Sequence, residues 1–135
     1  DTSTGKFDNS TTTERLSVRS AAQQSDGALF VLTQEPAGQA TKLARLEARG
    51  GKFVVVAKTS LPSRSGGDGG ADVFVGHELD TLFASDRGAG PNEKGMIYYF
   101  TYASGVFTRH AGHETGKNPR YTTMLANGDI ASCNQ

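Results

Sequence analysis

The sequence predicts an all-β chain. Three observations carry that reading: short β-type runs between clusters of Gly, Asp, Asn and Ser, 17 glycines among 135 residues, and a frame that recurs roughly every fifty residues. In chain order, Leu29–Leu32 follows the turn signal Ser25-Asp26-Gly27, and Phe53–Ala57 follows Gly50-Gly51. Between them, Thr41–Arg49 sets Leu43, Leu46 and Ala48 among Lys, Arg and Glu. With strands as neighbours and two glycines directly after it, this segment reads as a solvent-facing strand rather than a short exposed helix. Pro62–Gly70 is too rich in Gly and Ser for regular structure. The runs Asp72–Val75, Thr81–Ser85, Met96–Tyr102 and Val106–His110 follow, the last after Ser104-Gly105. Arg120–Leu125 and Ile130–Cys133 flank Asn127-Gly128, a two-residue hairpin signal.

Composition narrows the function classes. Lys plus Arg and Asp plus Glu both number 14, which excludes a dominant electrostatic attraction to nucleic acid or to an anionic membrane. Apolar runs such as Phe53–Ala57 and Met96–Phe100 are too short to cross a bilayer. The single cysteine, Cys133, excludes an internal disulfide and a multi-cysteine metal site, and it reads as a small buried hydrophobe in an apolar strand. The chain opens at Asp1 without a signal segment, while Asn9-Ser10-Thr11 is a glycosylation sequon. Cytoplasmic and secreted locations both stay open.

Three stretches share one frame: Arg19–Glu35, Asp72–Arg87 and Arg120–Gln135. Each runs through a polar start, a short strand, a turn, an apolar strand and a polar end. Leu29 and Leu82 are 53 residues apart, and Leu82 and Ile130 are 48 apart. Such a period with four short strands per unit is the signature of β-propeller blades, which stack because one sheet cannot bury both faces alone. The expected layout is one blade at about 16–60, a second at about 72–114 and a half blade at 120–135, with Asp1–Phe7 as the tail of a preceding hairpin. About two and a half blades leave an open wall, so the remaining blades are expected from the same or another chain.

These residues resemble a family. Arg19…Ser25-Asp26-Gly27-Ala28-Leu29-Phe30-Val31-Leu32-Thr33-Gln34-Glu35 is similar to the Pro-Arg-His…Pro-Asp-Gly…Tyr-Val-Leu-Asn-Glu stretch of the seven-bladed lactonase propellers. That family includes propeller-type 6-phosphogluconolactonases and fungal carboxymuconate cyclases. Asp72-Val73-Phe74-Val75…Leu82-Phe83-Ala84-Ser85-Asp86-Arg87-Gly88 resembles the family's Glu-Ile-His-Val…Leu-Tyr-Val-Ser-Asn-Arg-Gly segment. Gly116-Lys117-Asn118-Pro119-Arg120…Asn127-Gly128…Asn134-Gln135 resembles the stretch that opens the following blade. The three motifs occur in family order over nearly the whole chain. This chain departs from the pattern at Ser20 (usually His), at Gln34 (usually Asn) and at Gly76-His77-Glu78-Leu79, which replaces a Ser-Pro-Asp-Gly turn.

The resemblance implies hydrolysis or ring closure of a lactone on an anionic sugar acid or a muconate-like acid, without metal or cofactor. It implies catalytic roles for Arg19, Glu35 and Arg87, and the family's histidine lies upstream of this chain. Arg120 is the candidate fourth anion contact. Arginine suits the task because its planar fork holds an anion bidentately and stays charged. One arginine also stabilises oxyanion charge, and a nearby glutamate moves a proton. The competing class is a non-catalytic propeller segment that serves as a binding or scaffold module. The remaining motifs carry blander readings. His110-Ala111-Gly112-His113 is a solvent-facing strand end, since strand alternation points the two rings to opposite faces. Met96–Tyr102 is a third blade strand, and Ser65–Gly70 lacks the Lys-Ser/Thr of a phosphate loop.

Overall fold

The computed structural model describes residues 15–36, 39–62, 70–88, 92–117 and 119–134, with the backbone alone at 70, 71, 120 and 134. The sequon at Asn9 and most of the Gly/Ser-rich 62–70 segment lie outside the described residues. All regular structure among the described residues is antiparallel β-sheet. Strands β1 (Val18–Gln23), β2 (Leu29–Thr33), β3 (Lys42–Arg49) and β4 (Lys52–Ser60) form one meander in sequence order. A second meander holds β5 (Gly70–Val75), β6 (Thr81–Asp86), β7 (Lys94–Ala103) and β8 (Val106–Arg109). Its ten-residue β7 outruns β8, and β9 (His113–Lys117) pairs with the other half of it, from Lys94 to Ile97. β10 (Pro119–Met124) and β11 (Ile130–Asn134) make a third, two-stranded sheet. The fold class is the one the repeats predict: consecutive blade-like meanders, two full and one partial.

The sheets stack face to face. Phe30, Leu32 and Leu43 of the first sheet, with Leu61 just beyond it, pack against Val73, Leu82, Ala84, Tyr98 and Phe100 of the second. Phe107 meets Phe30 and Phe100 edge-on at 6.1 and 6.3 Å between ring centres. The opposite face of the first sheet carries a smaller cluster around Val31, Ala44 and Leu46, bordered by Phe53 and Val55. β2 and β3 are therefore buried on both faces, which is why β2 reads as an unbroken apolar run.

Three expectations need correction. Thr41–Arg49 contains the expected strand, but it does not face solvent: Leu43, Ala44, Arg45 and Leu46 are all buried. As third strand it lies between β2 and β4, and its alternate residues enter the two clusters. Its charges do not mark an exposed face, because Arg45 is itself buried against Asp80, Glu47 and the Tyr102 ring, as described below. Cys133 is exposed rather than buried, because β11 pairs with β10 alone among the described residues. The Asn127-Gly128 turn closes a five-residue loop, Leu125–Asp129, instead of a two-residue one. There Leu125 N donates to Asp129 O and Gly128 N to Leu125 O, at 2.7 and 2.9 Å. Gln24–Ala28 has the same pair of bonds at 3.0 and 2.9 Å, with Gly27 at φ +96° matching Gly128 at φ +91°. The repeat visible in the sequence is thus a repeat of turn geometry.

Candidate functional site

The first strands of the three sheets run side by side in one direction. Val73 N donates to Ser20 Oγ at 3.1 Å, and past the far ends of β1 and β5 Gln24 Nε2 donates to Asp80 Oδ1 at 3.0 Å. Thr122 N donates to Asp72 Oδ2 at 3.1 Å, which sets β10 beside β5, and Met124 and Gly76 share a small pocket. The starts of β1, β5 and β10 therefore lie at one end of the array, together with the ends of β2, β6 and β11.

All four candidate residues fall at that end. Arg19 occupies a break in register between Val18↔Thr33 and Ser20↔Leu32, an extra residue that re-aims its side chain. Its Nη1 donates to Gln34 Oε1 at 3.0 Å, and Gln34 N donates to Ser17 O at 2.7 Å. Glu35 follows directly. Its Oε1 accepts from Thr33 Oγ1 at 2.7 Å, and the same hydroxyl oxygen accepts from Lys42 N at 3.2 Å. Arg19 and Glu35 thus share the rim of the first sheet.

Arg87 belongs to the rim of the second sheet, immediately past β6 and half-buried. Buried Asp86 accepts from Gly88 N at 2.6 Å, so a short turn brackets Arg87. Gly88 sits at φ +83°, and a Cβ there would lie 2.8 Å from Glu93 Cβ, so glycine is required. Arg120 sits in β10 at a break in register between Pro119↔Asn134 and Tyr121↔Cys133, the counterpart of the one at Arg19. Its side chain lies outside the described residues.

The far end holds a network that sequence reasoning missed. Arg45 Nη1 lies 2.6 Å from Asp80 Oδ1, and Arg45 Nε lies 3.3 Å from Glu47 Oε2. The guanidinium carbon stands 4.2 Å from the Tyr102 ring centre. Gln24 closes the circuit by accepting from Asp80 N at 2.9 Å. Burial pulls the Arg45 pKa down, but hydrogen bonds and charge from Glu47 and Asp80 override it and raise the pKa above the ordinary value. This clamp ties the first sheet to the second at the end away from the candidate residues. No local signal finds it, since Gln24 and Asp80 are 56 residues apart.

His110 packs at a tilt of 31° against Tyr99, 4.9 Å between ring centres, and its Nε2 shares a hydrogen bond with Thr101 Oγ1 at 2.9 Å; Tyr99 in turn stacks on Phe83, and Phe83 on Phe74. Among the described residues no group of three or more His, Cys, Asp or Glu is placed to hold a metal ion. Nor is any helix long and apolar enough to cross a membrane.

Taken together, parallel first strands, matched turns and stacked meanders define a blade-type repeat chain. No protein-family model matches it, and no curated protein does. Its structure is similar to the crystal structure of a protein from Lactobacillus plantarum, with a TM-score of 0.66 and 14% identity. The match covers 98% of this chain and 39% of that one. At that identity the likeness speaks to fold alone.

Proposed function

We propose that this chain supplies part of the wall of a larger propeller that opens or closes a lactone ring on an anionic sugar acid or a muconate-like acid. The observation that carries the reading is that Arg19, Glu35 and Arg87 lie at the same end of the array, where the first strands start and the second strands finish. The resemblance of the surrounding motifs to the lactonase propellers supports the same roles.

In this reading the guanidinium forks of Arg19 and Arg87 grip the substrate's carboxylate or phosphate, with Arg120 as a further contact. One of them also faces the carbonyl oxygen, where negative charge develops as water adds to the acyl carbon. Glu35 takes the proton of the attacking water and returns it to the departing ring oxygen, so hydrolysis ends in a hydroxy acid. Ring closure of a sugar acid runs these transfers in reverse with loss of water. For a muconate-like acid the substrate's carboxylate oxygen instead adds to the C=C bond and protonated Glu35 gives its proton to the neighbouring carbon, with no water gained or lost.

The test is a rate assay on the protein isolated from its source, with 6-phosphogluconolactone and a carboxymuconolactone as substrates. Hydrolysis above the spontaneous rate is expected, with Glu35→Gln lowering kcat by about 10²–10⁴-fold, the usual contribution of a positioned acid–base group. Rates equal to the spontaneous one for both lactones would overturn the reading in favour of a non-catalytic binding or scaffold module.

A further inference from the structure

Thr33 ends β2 at the rim that carries Arg19 and Glu35. It pairs with Val18 across β1–β2, one residue before the register break at Arg19, and it stands two residues before Glu35. Thr33 is 3% exposed, and its branched Cβ restricts the rotamers open to it. Its hydroxyl oxygen accepts from Lys42 N at 3.2 Å, and a backbone N–H can only donate. The hydroxyl proton is thereby left for Glu35 Oε1, 2.7 Å away. Glu35 Oε2 has no hydrogen-bond partner among the described residues.

This polarity makes the two carboxylate oxygens unequal. A proton placed on Oε1 would displace the Thr33 hydroxyl proton and orphan it in a buried position, which costs free energy. A proton on Oε2 leaves Oε1 an acceptor and the Thr33 bond intact. We propose that Thr33 is a positioning residue for Glu35, which fixes the carboxyl group so that Oε2 is the oxygen that carries the catalytic proton. The assignment rests on the role of Glu35 proposed above. In hydrolysis the water's O–H bond breaks, its proton bonds to Oε2 and its oxygen adds to the acyl carbon. The proton then passes from Oε2 to the ring oxygen as the acyl C–O bond breaks. Glutamate is a flexible side chain, and a misplacement of about 1 Å at the reacting groups costs about 10²-fold in rate.

The experiment compares Thr33→Val, which keeps the shape and removes the hydroxyl, with Thr33→Ser, which keeps the hydroxyl. In the lactone assay Thr33→Val should lower kcat about 10–10²-fold with KM near that of the parent, and Thr33→Ser should keep most of the rate. In carboxyl-carbon NMR, Thr33→Val should displace the Glu35 side-chain resonance while that of Glu114, which bonds Lys94, stays in place. One readout needs no variant: in the parent, the Thr33 hydroxyl proton should exchange slowly enough to be seen and should show a nuclear Overhauser effect to the Glu35 side chain. The positioning role alone is overturned by an active parent whose Thr33→Val form keeps the full kcat, or by a Thr33→Ser form that loses as much as Thr33→Val. An unmoved Glu35 resonance or the absence of that Overhauser effect overturns it equally. A parent that hydrolyses neither lactone would overturn the proposed function, and this role with it.

Discussion

Replacing Asp80 tests how the two full sheets are held together. Asp80 carries two burdens: its carboxylate receives Arg45 and Gln24, and its backbone holds φ +60°, the left-handed region. Asp and Asn tolerate that region better than Ala, and Gly enters it without strain. Arg45 is 6% exposed, so loss of its partner leaves a buried cation with Glu47 as its remaining ion pair. A fully buried pair broken on one side costs about 3–5 kcal/mol. The Asp80 side chain is 40% exposed, which reduces the expected loss to about 1–2 kcal/mol. Adding the backbone difference, Asp80→Ala should lose about 2–3 kcal/mol. Asp80→Gly should be about 1 kcal/mol milder, since it removes the strain along with the carboxylate. Asp80→Asn should be mildest, because the amide oxygen still accepts from Gln24 or Arg45. Urea unfolding followed by tyrosine fluorescence gives the order. Equal stability for the Ala and Gly variants would refute the strain argument, and an Ala variant as stable as the parent would refute the clamp.

Other outcomes follow from the same contacts. Phe100→Ala empties the centre of the inter-sheet core, where Phe100 is 1% exposed, and should lose about 3–5 kcal/mol in the same denaturation assay. Thr122→Val should raise stability by about 1 kcal/mol, since it removes a buried hydroxyl without a partner; a drop would show that the hydroxyl is satisfied. Gly88→Ala should lose about 1–3 kcal/mol from φ +83° and the close approach of Glu93, and should shift the amide resonance of Arg87.

Much of the fold was legible because it is local. Gly27 and Gly128 announce turns that proved to have the same hydrogen bonds, and Met96–Tyr102, read as a third blade strand, lies within β7. Burial was harder to read, because it depends on what lies across the sheet. Arg45 looks like a solvent residue until Asp80, 35 residues on, and the Tyr102 ring are brought to it. Cys133 looks like core until β11 is seen to have one neighbour among the described residues. At the candidate site, residue types and order were visible in the sequence, whereas their shared end of the array was not. That placement depends on the parallel first strands, set by contacts such as Ser20 to Val73 that span 53 residues. The breaks in register at Arg19 and Arg120 also leave no mark in residue pattern.

The most direct test of the central claim is a titration with 6-phosphogluconate, the anionic acid that such a lactone yields, read by backbone amide and arginine side-chain resonances. The account predicts saturable shifts concentrated at Arg19, Glu35 and Arg87, reduced in Arg19→Ala and Arg87→Ala. Shifts confined to the opposite end, around Gln24 and Asp80, or no saturable shifts at all, would contradict it.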